Sequence, residues 1–307
     1  MLEAKSQILS GIPETLLITL YLRAMETQRP DALIKDEKAV ALVKQLSYDF
    51  ERIRQIPMNE LNRIVIILRS REFDRRARDF LARSPEAVVV HIGCGLDARF
   101  ERVDNGRVEW YDLDLPEVID LRRKFINGER DRYHLLGCSV FDEAWLESVK
   151  EYSPRPFLFL AEGVFMYFQA AQVKSLVLAL RDNVPGAELV FDSYSPVHVR
   201  AHNLQVSTLG HYAPAEWGIW HGKEIEKWGA GTLAPHEGQR SAGVRLLGEW
   251  GYLDEHEPRL AHMFWLRPFE ALFRTLRIYH FQLGKAAGEQ PADPHQRREA
   301  ECLKHLI

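Results

Sequence analysis

Glycines, carboxylates and one arginine are spaced along this chain as parts of a nucleoside site. In Ala87-Val-Val-Val-His-Ile-Gly93-Cys-Gly95-Leu-Asp97 an apolar, β-branched run stops at Gly-x-Gly. About twenty residues on, Val108-Glu-Trp-Tyr-Asp112-Leu-Asp114 ends in acid. Glycines let a turn approach a ligand closely, and an acid after the next strand takes ribose hydroxyls. Glu162 follows another apolar run, and Arg69 shares the apolar face of a helix-period segment with Phe73 and Phe80. A buried guanidinium needs an anionic partner. A ligand carboxylate would supply one in bidentate form.

The ligand is narrowed by charge. Gly93-Cys-Gly95-Leu-Asp97-Ala98 satisfies the dinucleotide form Gly-x-Gly-x-x-Gly/Ala. Yet Asp97 would then sit where a pyrophosphate should meet bare N–H groups, and the two anions repel. S-adenosylmethionine fits better. It carries a sulfonium, no phosphate and an amino-acid end, so its pocket should offer acids near the sulfonium and amine, and one cation for the carboxylate. Asp97 and Glu162 fall just past the ends of apolar strands, the edge where open α/β sheets bind ligands. Each residue also has a structural reading. Asp97 suits a helix N-terminus, Arg69 could pair with Asp74 or Asp112, and Glu162 could be a strand-end acid. Asp112 and Asp114 point to one face of their strand, and only one need bind ribose.

The elements that must position these groups follow from periodicity. Helices are expected over Thr15–Met25, Ala39–Leu46 and Asn62–Leu81. Strands are expected at 87–92, 107–113, 133–137, 156–161 and 187–192, with helices starting near Asp97, Pro116, Asp142 and Gln169. The alternation predicts an α/β, doubly wound parallel sheet. Residues 1–85 read as a helical segment on the core, 86–193 as the cofactor-binding core, and 194–235 as a cap or lid insertion after the fifth strand. Residues 236–284 return to the core, with helices over Gly238–Trp250 and Pro268–Thr275 and a last strand Arg277–Leu283. A polar tail fills 285–307.

With 46% hydrophobic residues the 307-residue chain can bury a large core. A net charge of −4 without a basic stripe argues against nucleic acid. No apolar run is long enough for a membrane span, and Met1-Leu-Glu-Ala-Lys-Ser lacks a signal layout. Cys94, Cys138 and Cys302 make neither a metal pattern nor a disulfide framework. A cytoplasmic protein is expected.

Six stretches, in order, resemble the leucine carboxyl methyltransferase family, and within it the bacterial branch of tetracenomycin-type polyketide O-methyltransferases. They are Thr15–Glu26, Leu68–Asp74, Val90–Arg99, Trp110–Val118, Ser139–Trp145 and Ala161–Tyr167. The resemblance implies a Rossmann-like class I methyltransferase sheet using S-adenosylmethionine. It implies that Arg69 holds the methionine carboxylate, Gly93 lines the methionine end with Gly95 and Asp97 in the same motif, and Asp114 binds ribose. Ser139 and Val140 would flank adenine, Glu162 would meet the amine, and Arg23 matches a basic position of the opening helix. Ala98 stands where the family usually has Thr.

The acceptor is expected to be a small molecule, an aromatic or polyketide-like hydroxyl or carboxyl. Ala161-Glu162-Gly-Val lacks the Asn/Asp-Pro-Pro-aromatic form of amide and nucleobase N-methylation, so oxygen is the better acceptor. A hydroxyl benefits from a base within reach, for which His198, His211 and His221 are candidates; a carboxylate needs none. Trp217 and Trp220 are candidate substrate-pocket residues. The alternatives are an NAD(P)-linked oxidoreductase and a catalytically silent nucleoside-binding protein.

Overall fold

A computed structural model describes residues 14–56, 58–126, 128–209, 213–228, 243–254 and 257–284. Four helices come first: α1 (Glu14–Thr27), α2 (Glu37–Gln45), α3 (Glu51–Gln55) and α4 (Glu60–Arg83). Asp36 caps α2 by accepting the Ala39 N–H, and Asn59 caps α4 through the Asn62 N–H. Along α4, Ile64, Leu68, Phe73, Ala77 and Phe80 recur at helical spacing and are buried against the sheet. Arg69 is buried with them.

The core alternates β1 (Val88–Ile92), α5 (Arg99–Val103), β2 (Glu109–Asp114), α6 (Pro116–Phe125), β3 (Tyr133–Gly137), α7 (Ala144–Lys150), β4 (Phe157–Ala161), α8 (Ala170–Asn183) and β5 (Ala187–Tyr194). All five strands are parallel. Then come α9 (Pro196–Leu209), α10 (Lys223–Glu226), β6 (Val244–Gly251), α11 (Arg267–Phe273) and β7 (Leu276–Leu283). The strand order is β3-β2-β1-β4-β5-β7-β6, with β7 antiparallel to both neighbours. Val88, Val90 and Ile92 pack on the α7 and α8 side, while Val89 packs on the α4 side. The sheet is therefore covered on both faces, as near-continuous apolar strands require.

Register positions the site. Ile92 pairs with Leu113 of β2 and with Ala161 of β4, and Ala161 pairs with Phe191 of β5. One residue further on, Gly93, Asp114, Glu162 and Asp192 therefore form a row along the carboxyl edge.

One expectation is corrected. The helix expected over Gly238–Trp250 is replaced by strand β6; 229–242 lie outside the described residues. Leu246, Leu247 and Trp250 suit a helical face, but β7 offers an open edge, and pairing with it satisfies the backbone of both strands. The described residues between 243 and 284 thus return to the sheet as two antiparallel strands, with α11 between them in sequence, where a helix was expected. The segment 194–235 expected as a lid contains a 14-residue helix, α9. The tail 285–307 lies outside the described residues. Among the described residues no helix is long and apolar enough to cross a membrane.

Candidate active site

A cavity of about 440 Å³ opens at this carboxyl edge, within the size range of small-ligand sites. Its walls include Arg23, Arg69, Gly93, Gly95, Asp97, Asp114, Ser139, Val140 and Glu162, so the structure brings all nine expected cofactor residues to one place.

The glycine turn is built by backbone and by Asp114. Gly93 has φ +62°, and a Cβ there would collide with Val164. Gly95 donates its N–H to Asp114 Oδ2 at 2.7 Å, and Leu115 N–H reaches Oδ1 at 2.8 Å. Burial raises Asp114 above the usual carboxylate range, against these two bonds. Asp112 is structural: it sits wholly buried against Arg122, the Tyr133 hydroxyl and Trp110 Nε1. Beyond β3, the Cys138 N–H bonds to Asp114 O at 3.0 Å, which delivers Ser139 and Val140 to the cavity.

At the other end Arg69 Nε donates to Glu162 Oε1 at 3.0 Å and Nη1 to Asp192 Oδ2 at 3.1 Å. Its Nη2 makes no hydrogen bond among the described residues. Neither expected protein partner holds Arg69, because Asp74 pairs with Arg99 and Arg102, and Asp112 with Arg122. Glu162 also accepts from the Ser70 hydroxyl at 2.7 Å and from Arg99 Nη2. Burial pushes Glu162 up, but the Arg99 and Arg69 guanidiniums override it and hold it at about 2. His91 Nε2 lies 3.1 Å from Arg99 Nη1, and its Nδ1 lies 3.3 Å from Asp112 Oδ1.

Asp97 borders the cavity, but its carboxylate is bound to Arg102 at 2.7 Å and Arg99 at 2.9 Å. Those guanidiniums and Arg23 outweigh burial and hold it well below its ordinary range. Its clear occupation is to tie α1 and α5 to the glycine turn. Arg23 is likewise engaged, with Asp36 at 2.9 Å and the Leu96 carbonyl at 3.3 Å.

Four aromatic rings also line the cavity, Phe141, Tyr167, Phe168 and Tyr194, with Met166 and Ala213. Phe141 and Phe168 meet edge to face at 4.8 Å. Among the described residues, the expected substrate and base candidates Trp217, Trp220, His198 and His221 are not in this lining. Trp217 is buried against Phe191 and Trp228 as core. The Trp220 and His221 backbone N–H groups close a turn by donating to Glu224 Oε1. His198 packs under the Tyr194 ring at 4.7 Å, where burial and then His202 lower it to about 4. His211 lies outside the described residues. Sequence reasoning passed over Arg99, Asp192, Tyr167 and Tyr194. Asp192 and Tyr194 had a usable signal, the carboxyl end of a strand.

The leucine carboxyl methyltransferase family model matches residues 16–180, more than half the chain. The chain belongs to the leucine carboxyl methyltransferase family. Within that family it is 34% identical over 247 residues to the tetracenomycin polyketide synthesis O-methyltransferase TcmP of Streptomyces glaucescens, covering 80% of this chain and 85% of that protein. It is 32% identical over 200 residues to the S-adenosyl-L-methionine-dependent methyltransferase dpfgK of Gibberella zeae, covering 60% of this chain and 67% of that protein. Among solved structures it resembles a DUF574 family protein from Streptomyces avermitilis, with TM-score 0.54 at 12% identity over 90% of this chain and 99% of that one. A candidate methyltransferase from Thermobifida fusca gives TM-score 0.50 at 17% identity, over 86% and 94%. The fold is that of class I methyltransferases, and this family member is an S-adenosylmethionine-dependent methyltransferase.

The cavity fits that cofactor. Its ionisable wall carries two guanidiniums (Arg23, Arg69) and three carboxylates (Asp97, Asp114, Glu162). S-adenosylmethionine carries a sulfonium, an ammonium and one carboxylate, a net positive charge. The Gly95 N–H, which a pyrophosphate would need, is already given to Asp114. That disfavours the dinucleotide alternative on the geometry as well.

Proposed function

We propose that this family member methylates an oxygen of a small aromatic, polyketide-like acceptor, with a carboxylate as the acceptor group. The observation that carries this reading is one cavity lined both by charged groups, Asp114 and Glu162 with Arg69, and by four aromatic rings, Phe141, Phe168, Tyr167 and Tyr194. TcmP, named for polyketide synthesis, supports it by similarity.

When bound, the cofactor supplies an electrophilic methyl group on a sulfonium. The protein's part is placement and charge, since alignment supplies much of the rate of a displacement. Arg69 offers Nη2 to the methionine carboxylate while Glu162 and Asp192 fix the other two nitrogens. Glu162, ionised at neutral pH, faces the ammonium. Each Asp114 oxygen accepts one backbone N–H. Each keeps a lone pair for a ribose hydroxyl. Ser139 and Val140 flank adenine. Gly93 and Gly95 give the methionine end its close approach. Arg23 and Asp97 act through the ion pairs that hold α1 and the glycine turn.

The proton balance supports a carboxylate acceptor. A general base works best with a pKa near the operating pH. Glu162 sits at about 2 and Asp97 well below its ordinary range, so neither takes a proton at neutral pH. A carboxylate arrives without a proton to remove. The test is transfer of labelled methyl from S-adenosylmethionine to 1-hydroxy-2-naphthoate, 2-naphthoate and 2-naphthol. The reading expects base-labile methyl esters. Preferential methylation of 2-naphthol to an alkali-stable ether would replace it with the hydroxyl reading and direct attention to His211.

A further inference from the structure

Asp192 completes the row along the carboxyl edge, after Gly93, Asp114 and Glu162, and its side chain is wholly buried. Its two oxygens do different jobs. Oδ1 accepts the Gly163 N–H at 2.6 Å, and Oδ2 accepts Arg69 Nη1 at 3.1 Å. Gly163 is the residue after Glu162 and turns the chain at φ +67°. A Cβ at Gly163 would stand 3.2 Å from Arg69 Nη2, so turn and guanidinium are packed edge to edge.

We infer that Asp192 is a positioning residue for the amino-acid end of the cofactor. One carboxylate ties the turn that presents Glu162 to the guanidinium that Glu162 also holds. The inference rests on the reading above, in which Arg69 and Glu162 take the methionine carboxylate and ammonium.

The physical logic is preorganisation. Arg69 has several rotatable bonds, and ordering it only when ligand arrives would cost affinity. Two carboxylates hold Nε and Nη1 and leave the guanidinium in one plane. Asp192 also supplies negative charge near a ligand whose net charge is positive. Glu162 alone could not do both tasks. Its Oε1 is shared between Arg69 and Ser70, and its Oε2 is taken by Arg99. The adenosine end depends on Asp114, Ser139 and Val140, from strands on the far side of β1. Asp192 should therefore matter for one half of the ligand and not the other.

That asymmetry gives a test that needs no acceptor. Calorimetry on the full chain would measure S-adenosylhomocysteine and 5′-methylthioadenosine, which lacks the amino-acid end, on wild type, Asp192→Asn and Arg69→Ala. Asn keeps the size and the acceptor for Gly163 but removes the charge facing Arg69. The expected result is a roughly tenfold or larger loss of S-adenosylhomocysteine affinity in Asp192→Asn, with methylthioadenosine within about twofold. Retained methylthioadenosine binding also reports an intact site. Unchanged affinity for both ligands in Asp192→Asn, with selective loss in Arg69→Ala, would overturn the inference and leave the underlying reading standing. Equal loss of both ligands, in Asp192→Asn and in an Asp192→Ser control, would make Asp192 a general structural acid. If Arg69→Ala bound both ligands as wild type does, the reading of Arg69 itself would fall, and the inference with it.

Discussion

Asp114 accepts the Gly95 N–H at 2.7 Å, so the acid that ends the second strand also holds the glycine turn after the first. The two halves of the nucleoside motif are a single hydrogen-bonded unit before any ligand binds. Asp114→Ala should therefore lose more than a ribose contact. Its expected cost is about 1.5–3 kcal/mol in S-adenosylhomocysteine binding, read by calorimetry. Asp112→Ala should reverse the emphasis, because it strands the buried Arg122. About 3–5 kcal/mol of stability should go, read by denaturant unfolding. The opposite ranking would mean that Asp112 is the ribose acid.

Arg69→Ala should weaken S-adenosylhomocysteine by about 2–5 kcal/mol. It should also lower Tm, since Asp192 then loses its guanidinium in a fully buried position. Arg69→Lys should recover part of the stability and little of the affinity, as an ammonium cannot span Glu162, Asp192 and a ligand carboxylate with the geometry of a planar fork. Full affinity in Arg69→Lys would contradict this.

Acid stability should fall in two limbs. His198 is lowered from 6.5 to about 4 by burial. Its neutral form is the one the fold prefers, so its contribution is complete above about pH 6.5 and is lost as pH falls toward 4. Glu162 and Glu188 are each lowered from 4.5 to about 2, by Arg99 and Arg69 and by His280 and Arg83 respectively, against burial. Their contribution is present above about pH 4.5 and is lost as pH falls through 2. Unfolding free energy measured from pH 7 to 3 should decline over both windows. His198→Phe should flatten the upper one only. An unchanged upper limb in that variant would remove His198 from the account.

Tyr194→Ala or Phe141→Ala should raise the acceptor KM several-fold while cofactor affinity changes little, because both belong to the aromatic lining of the cavity. Trp217→Ala should act on stability instead, by about 3–5 kcal/mol, as a core truncation beside Phe191. A Trp217 variant that folds normally and changes acceptor choice would restore the tryptophan to the substrate site.

The row Gly93, Asp114, Glu162 was legible because each residue stands at the end of a strand-like run, and strand ends at one sheet edge are where ligands sit. Arg69 was legible as a charge on an apolar helical face. The partners were not. Arg69 meets Asp192 across 123 positions of chain, and Arg99 gathers Asp74, Asp97 and Glu162. A sequence shows that such charges exist but not which ones meet. Asp97 borders the cavity as expected, but the sequence did not show that Arg102 and Arg99 bind its carboxylate. The tryptophans and histidines of 194–235 looked like a pocket by composition, but Trp217 turns into the core and His221 faces solvent. The Val244–Gly251 strand was hidden because its leucines suit a helix equally well, and only the open edge of β7 decides between the two.

The most direct test of the whole account is a crystal structure with S-adenosylhomocysteine bound. The account predicts the ligand carboxylate on Arg69, its ammonium toward Glu162, its ribose hydroxyls on Asp114 and its adenine beside Ser139 and Val140, with the sulfur facing the wall of Tyr167 and Tyr194. A complex in which the ribose lies away from Asp114, or in which Arg69 stays on Glu162 and Asp192 without touching the ligand, would contradict it.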